Sequence, residues 1–189
     1  STFIVPTDTP GVRVGTPDRK LRNKGQITAD VHLDEVELGR ESLLGTEGGG
    51  LQVALQTLTY GRIGIAAAGV GMAQAAFDRT ASHLSTRVAF GAPLAARQHW
   101  QFLMADRATE IAVSRDLYIK AAMRLDAGTR FPEPEAAMAK LRGTEVAVQM
   151  ARDAVQAFGG FGFTQELGDD DSSGPVEALY RDSKIGEIY

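Results

Sequence analysis

The sequence contains no cysteine, a single tryptophan and three histidines among 189 residues. A disulfide scaffold, a thiolate metal site and a cysteine nucleophile are therefore excluded, and the composition fits a reducing cytoplasm. Charge of one sign is lacking too. The net charge of −4 carries none of the basic excess that draws a protein to nucleic acid or to an anionic membrane. No apolar run is long enough to span a bilayer, and no stretch reads as a signal peptide. His32, His83 and His99 fall in different expected elements without metal-ligand spacing, and read as polar surface or interface residues. What remains, 43% hydrophobic and 23% charged residues, is the make-up of an ordinary soluble globular protein.

Two textures divide the chain. Residues 1–46 are rich in Thr, Val, Asp and Gly, with turn signals at Thr9-Pro10-Gly11 and Lys24-Gly25. Within them Ile27, Ala29, Val31 and Leu33 alternate with Thr28, Asp30, His32 and Asp34, the period of a half-buried strand. So few strands make a poor sheet alone, so the segment reads as the C-terminal part of a larger β-domain, already under way at STFIVP.

From Glu47 the period changes. Leu51, Leu55, Leu58, Arg62, Ile65, Gly69, Met72 and Ala76 follow the spacing of a long amphipathic helix, and the small residues of GIAAAGVG (64–71) would let another helix approach closely. A second helix is expected from about Pro93 to about Asp126. Its apolar residues (Trp100, Leu103, Ile111, Leu117, Tyr118, Met123) spread around the circumference and predict burial on more than one side. A third carries Ala137, Leu141, Thr144, Val148, Ala151, Val155 and Phe158 and stops at Gly159-Gly160; a fourth starts near Pro175. The fold class expected is mainly α, an antiparallel four-helix bundle over residues 47–189 preceded by a few β-strands.

Few motifs survive scrutiny. Gly69-Val70-Gly71 lacks the third glycine of a dinucleotide fingerprint and lies inside a helix pattern; LLGTEGGG lacks the Lys-Ser/Thr ending of a phosphate loop. Asp169 to Asp171 lacks the alternating ligands of a calcium loop and reads as solvated. Arg62 is more informative, because a charge on an apolar stripe needs an ionic partner, solvent or a polar cavity. Gln98, one turn after Leu94, poses the same question for an amide. Arg87, ahead of a proline-started helix, suits a phosphate group. Glu177 stands near a helix N-terminus with Arg181 four residues on, so an ion pair favoured by the helix dipole and a catalytic role are both open.

Taken together, LRNKGQITADVHLDEVELGRESLLGTEGGG, RVAFGAPLAARQ, AVQAFGGFGFTQE and PVEALYRDSKIGEIY, in that order, resemble the acyl-CoA dehydrogenase family over nearly all of the chain. The resemblance implies the end of a middle β-domain followed by most of a C-terminal helical bundle, a fragment expected to be inactive alone. It implies FAD-dependent α,β-dehydrogenation of an acyl-CoA, with electrons passed to an electron-transferring flavoprotein, by a homo-oligomer that is at least a dimer. By the same resemblance Glu177 matches the catalytic base. Arg87, Phe90, Gln98, Gln156, Gly159 and Gly160 match FAD contacts made to a neighbouring subunit's cofactor. Arg62, with Thr59, matches the acyl-CoA-binding stretch. Some branches of the family place their base beside the arginine of the first helix; this chain has Gly61 there, which cannot serve, so the resemblance favours Glu177 as the base. Gly168 to Gly174 depart from the family pattern as an added loop just before Glu177, which bears on substrate choice. An acyl-CoA oxidase-like enzyme and a non-catalytic helical oligomerisation module are the alternative readings.

Overall fold

The computed structural model describes residues 1–129, 133–167, 172–174 and 176–189, and the chain divides into two compact units, residues 1–58 and 59–189. In the first, β1 (Thr2–Phe3) pairs antiparallel with β4 (Leu43–Leu44), and β2 (Val12–Val14) with β3 (Val31–Leu33). The alternation that predicts a half-buried strand holds only over its last three residues. Val31 and Leu33 are exposed on this two-stranded ribbon, as is Ile27 before it, so no face of β3 is covered within the unit.

Helix α1 (Gly50–Thr86) starts in the first unit and runs into the second. It is followed by the hairpin β5 (Val88–Ala89) and β6 (Ala92–Pro93), then by a 3-10 turn at Leu94–Ala96. Helix α2 (Gln98–Asp126) therefore begins five residues later than Pro93 suggests, because Pro93 is used as the last hairpin residue. Next come α3 (Glu133–Phe158), the single turn α4 (Gly160–Phe163), the hairpin β7 (Glu166–Leu167) with β8 (Ser172–Ser173), and α5 (Glu177–Ile188).

Contacts between side chains and backbones fix the directions of the four long helices. Arg107 of α2 meets Asp153 of α3 while Arg124 meets Glu135, so α2 and α3 run antiparallel. Lys140 near the start of α3 bonds the Glu187 carbonyl at the end of α5, so that pair is antiparallel as well. Helices α1 and α3 run parallel: Gly69 meets Gly143, and fourteen residues on His83 stacks on Phe158. The result is an up-down-up-down bundle, as expected. Its core joins Val70, Ala73 and Ala76 of α1, Ile111 of α2, Val146, Met150 and Ala154 of α3, and Val176 ahead of α5.

Two burial expectations are overturned. On α1 the buried line runs through Thr59, Ala66, Val70, Ala73, Thr80 and Leu84, while Leu51, Leu55 and Leu58 are exposed. The helix most enclosed is α3, not α2. Helix α2 buries one stripe (Ile111, Ser114, Ala121) and exposes Phe102, Val113, Ile119 and Met123, whereas α3 buries eleven residues. Alanine and glycine explain the difference. A β-carbon at Gly69 would lie 2.8 Å from the carbonyl carbon of Gly143 and nearer still to its oxygen; one at Gly143 would lie 2.8 Å from the Ala66 carbonyl oxygen. The backbones of α1 and α3 are thus in contact, a role for the small residues that their run in α1 foretold. Between α2 and α3, Arg107 joins Asp153 (2.7 Å), Glu110 (2.6 Å) and Gln149 (3.1 Å). Burial works against that charge, but the bonds to Asp153 and Glu110 outweigh it and hold the guanidinium pKa above the ordinary arginine value.

Candidate active site

The end of α1 and the end of α3 enclose an open cleft of about 600 Å³. Helix α1 delivers His83 and, just past its last turn, Arg87. Helix α3 delivers Phe158 and stops at Gly159, whose φ of 60° turns the chain into Gly160 and α4. Thr164 closes the far side. Three of the residues expected to contact cofactor, Arg87, Gly159 and Gly160, are therefore brought together from positions some seventy apart in sequence.

Among the described residues, no carboxylate lines this cleft. Arg87 makes no side-chain hydrogen bond or ion pair among the described residues, and a β-carbon at Gly159 or Gly160 would meet nothing within 4 Å. An unpaired guanidinium over open backbone is a donor set suited to an anionic phosphate. The other three cofactor residues do not line it. Phe90 and Gly91 form the two-residue tip of the β5–β6 hairpin, both with positive φ, and Phe90 is 95% exposed. Arg97 braces that tip by donating to the Phe90 carbonyl at 3.0 Å. Gln98, first residue of α2, and Gln156, near the end of α3, are both exposed on this chain.

His83 is the residue that sequence reasoning passed over. Its ring stacks on Phe158 with centroids 4.0 Å apart and planes 18° from parallel. Burial, then the positive charge of Arg87, lower its pKa below the ordinary value, against a smaller opposing effect from a hydrogen bond with the Ala157 backbone. A signal was present: His83 and Arg87 are four residues apart, one helical turn, on a chain about to meet a glycine pair.

Glu177 opens α5 and is 8% exposed. Arg181 donates to its Oε2 twice, from Nε at 2.8 Å and from Nη2 at 2.6 Å. The ion pair is real, and it is buried rather than superficial. Gly174, just upstream, packs so tightly on Thr164 that a β-carbon there would lie 2.9 Å from the Thr164 carbonyl carbon and 3.1 Å from Glu177 Cγ. Of the added loop, residues 168–171, including Asp169 to Asp171, lie outside the described residues, as does Pro175; the backbone on either side is joined by the pairs Glu166 with Ser173 and Leu167 with Ser172.

Arg62 and Thr59 are at the other end of the bundle. Thr59 is 1% exposed, and Arg62 is half-buried with no hydrogen bond or ion pair among the described residues. Between them Gly61 faces Tyr189: a β-carbon there would lie 3.4 Å from the tyrosine hydroxyl. Tyr189 closes α5 and Glu177 opens it, so the two are separated by the helix's length, about 18 Å at 1.5 Å per residue. The structure thus does not bring Glu177 together with Arg62. Among the described residues, no group of three or more His, Cys, Asp or Glu could hold a metal ion, and no helix is long and apolar enough to cross a membrane.

Comparison with known proteins places this geometry. Residues 48–189 match the family description "Acyl-CoA dehydrogenase, C-terminal domain". The human mitochondrial short-chain specific acyl-CoA dehydrogenase is 41% identical over 189 residues, covering 100% of this chain and 44% of its own length. Butyryl-CoA dehydrogenase from Megasphaera elsdenii superposes with a TM-score of 0.90 at 36% identity, over 99% of this chain and 47% of its own. A chain from a structure described as an electron transferring flavoprotein of Acidaminococcus fermentans gives the same TM-score at 38% identity, over 99% and 47%. The chain spans about half the length of the relatives it matches. It belongs to the acyl-CoA dehydrogenase family.

Proposed function

We propose that this chain is part of an FAD-dependent enzyme that introduces an α,β double bond into an acyl-CoA thioester. The observation that carries the reading is the cleft that Arg87 shares with Gly159 and Gly160, where among the described residues Arg87 has no side-chain partner and no carboxylate competes. FAD, when bound, supplies the acceptor for the hydride leaving Cβ. In this chain Arg87 would neutralise the cofactor's diphosphate, and the Gly159–Gly160 backbone leaves room for it. Phe90, Gln98 and Gln156 point no side chain into their own bundle's core, which favours their acting on a neighbouring subunit's cofactor, and hence a homo-oligomer. An electron-transferring flavoprotein is the natural recipient of the electrons.

At the opposite end, Arg62 has the character of a substrate ligand: half-buried, charged and without a partner among the described residues. We assign Glu177 a structural role and not that of the base. In branches that carry their base at the position of Gly61, the carboxylate must reach the same Cα as in any other branch. A base for this chain therefore belongs close to Gly61, beside Tyr189, whereas Glu177 lies about 18 Å from Tyr189 along α5. Its Oε2 is moreover committed to Arg181. A Glu177→Gln change in the full-length protein tests the assignment by anaerobic acyl-CoA addition. Flavin bleaching within about tenfold of the wild-type rate is expected, with reduced stability; loss of bleaching by about a hundredfold or more, the effect of removing a general base, would restore Glu177 as the catalytic carboxylate.

A further inference from the structure

We propose that His83 is a second, proton-dependent cation of the cleft, closing with Arg87 around a phosphate of the bound dinucleotide and taking up a proton as that anion seats. The inference rests on the FAD reading above and adds to it a residue, a protonation event and a pH dependence.

His83 and Arg87 leave the same turn at the end of α1 and line the same cleft, so an anion held by one is within the field of the other. The histidine ring is not free to swing away. Phe158 stacks against its face at 4.0 Å, and the Ala157 backbone favours the protonated ring. With the cleft empty, burial and the Arg87 charge keep the ring neutral at physiological pH. A phosphate reverses the second of these influences: it cancels the Arg87 charge and offers an acceptor to the new N–H.

The other ionisable groups near the ring sit on its own helix. Asp78 and Arg79 border a neighbouring cleft with His83; Asp78 accepts from Gln74 at 2.8 Å, and its charge is opposed by that of Arg79. The residues that α3, α4 and the Leu94 turn contribute to the cleft carry no ionisable side chain. Among the described residues, no other group lining the cleft titrates near neutral pH.

The test uses full-length protein stripped of flavin and titrated with FAD between about pH 5.5 and about pH 8.5. Flavin fluorescence gives the affinity, and calorimetry in two buffers of different ionisation enthalpy gives the protons taken up. Linkage of one proton to binding makes the wild-type affinity fall up to about tenfold per pH unit above the empty-cleft pKa, with uptake approaching one proton. His83→Phe, which keeps the stack on Phe158, is expected to flatten that slope to less than about twofold per unit; His83→Gln serves the same purpose if the first variant folds poorly. Arg87→Gln is expected to weaken FAD at every pH. The wild-type calorimetry alone decides the proposal: binding without proton uptake overturns it, as does a slope that survives both His83 variants. A slope seen with coenzyme A and not with FAD overturns it too, since the phosphate would then be the substrate's. The underlying reading fails in a different way, through FAD affinity that Arg87→Gln leaves unchanged at all pH values.

Discussion

The closest backbone approach in the bundle gives the sharpest test of its packing. Gly69→Ala places a methyl 2.8 Å from the Gly143 carbonyl carbon and 3.2 Å from the Thr144 nitrogen, and nearer still to the Gly143 oxygen. None of these atoms belongs to a side chain that could rotate aside. Helices α1 and α3 must part, opening contacts along the Val70, Ala73, Val146 and Met150 core. Overpacking costs about 1–3 kcal/mol, and a backbone obstacle belongs at the top of that range. Against it stands the gain of about 1 kcal/mol when alanine replaces glycine inside a helix. The net expectation is a loss of about 2 kcal/mol, or about 2–4 °C in melting temperature for a full-length protein about twice this chain's length. Gly71→Ala is the matched control: it lies two residues away in the same helix, is exposed, and its β-carbon would meet nothing within 4 Å. That variant should be as stable as wild type or up to about 1 kcal/mol more so. Gly143→Ala strains the same crossing from the other side, so the double variant should lose less than the sum of the two singles. Scanning calorimetry of the full-length protein measures all four. A Gly69→Ala protein melting at or above the Gly71→Ala control would refute the backbone contact.

Other expectations concern charge. Asp153→Asn removes the carboxylate from a largely buried arginine that retains Glu110 and Gln149, and should cost about 3 kcal/mol, the lower end for breaking a buried pair; chemical denaturation reads it. His83 has a folded-state pKa below its unfolded value, so its contribution is fully present above about pH 6.5 and is lost as pH falls through the folded value. Flavin-free wild type should therefore lose stability in that acid window, and His83→Phe should lose less, as thermal melts from about pH 5 to about pH 8 would record. Arg62→Gln should raise the apparent KM for acyl-CoA at least about tenfold while leaving the protein's melting temperature nearly unchanged, because no ion pair is broken; a stability loss with unaltered KM would place Arg62 in the bundle's structure instead.

Helix periodicity carried most of the architecture. The four long helices, the stop after Phe158 and the close-packing run around Gly69 could all be read from spacing and small residues. What spacing misjudged was which face is inside. The buried lines of α1 and α3 are built largely from Ala, Gly and Thr, which carry little hydrophobic contrast, while Leu51, Leu55, Leu58 and Leu141 are exposed in this chain and drew the eye. The spread of large apolar residues on α2 was read as two-sided burial for the same reason, although Met123 and Phe102 face outward. At the site, Glu177 and Arg181 could be paired from a spacing of four, but not their distance from Gly61, which depends on α5 running antiparallel to α3. Arg87 and the Gly159–Gly160 pair could be grouped only through the resemblance, since seventy residues separate them. His83 carries no metal-ligand spacing to mark it in sequence, because its partners are an aromatic ring from another helix and an arginine.

The short β7–β8 pair has a consequence for how this region can vary. Hydrogen bonding across Leu167 and Ser172, together with the Gly174 N–H to Gln165 carbonyl bond at 2.5 Å, ties both feet of the added loop to one spot beside Thr164. The start of α5 is thereby insulated from whatever lies between the feet. Each doubling of a loop's length costs only about 0.6 kcal/mol, so residues could be gained, lost or exchanged there while the register of α5 stays fixed. That makes the hairpin a splice point, the place in this bundle where an affinity tag or a reporter dye could be carried with least disturbance to either end of the helix.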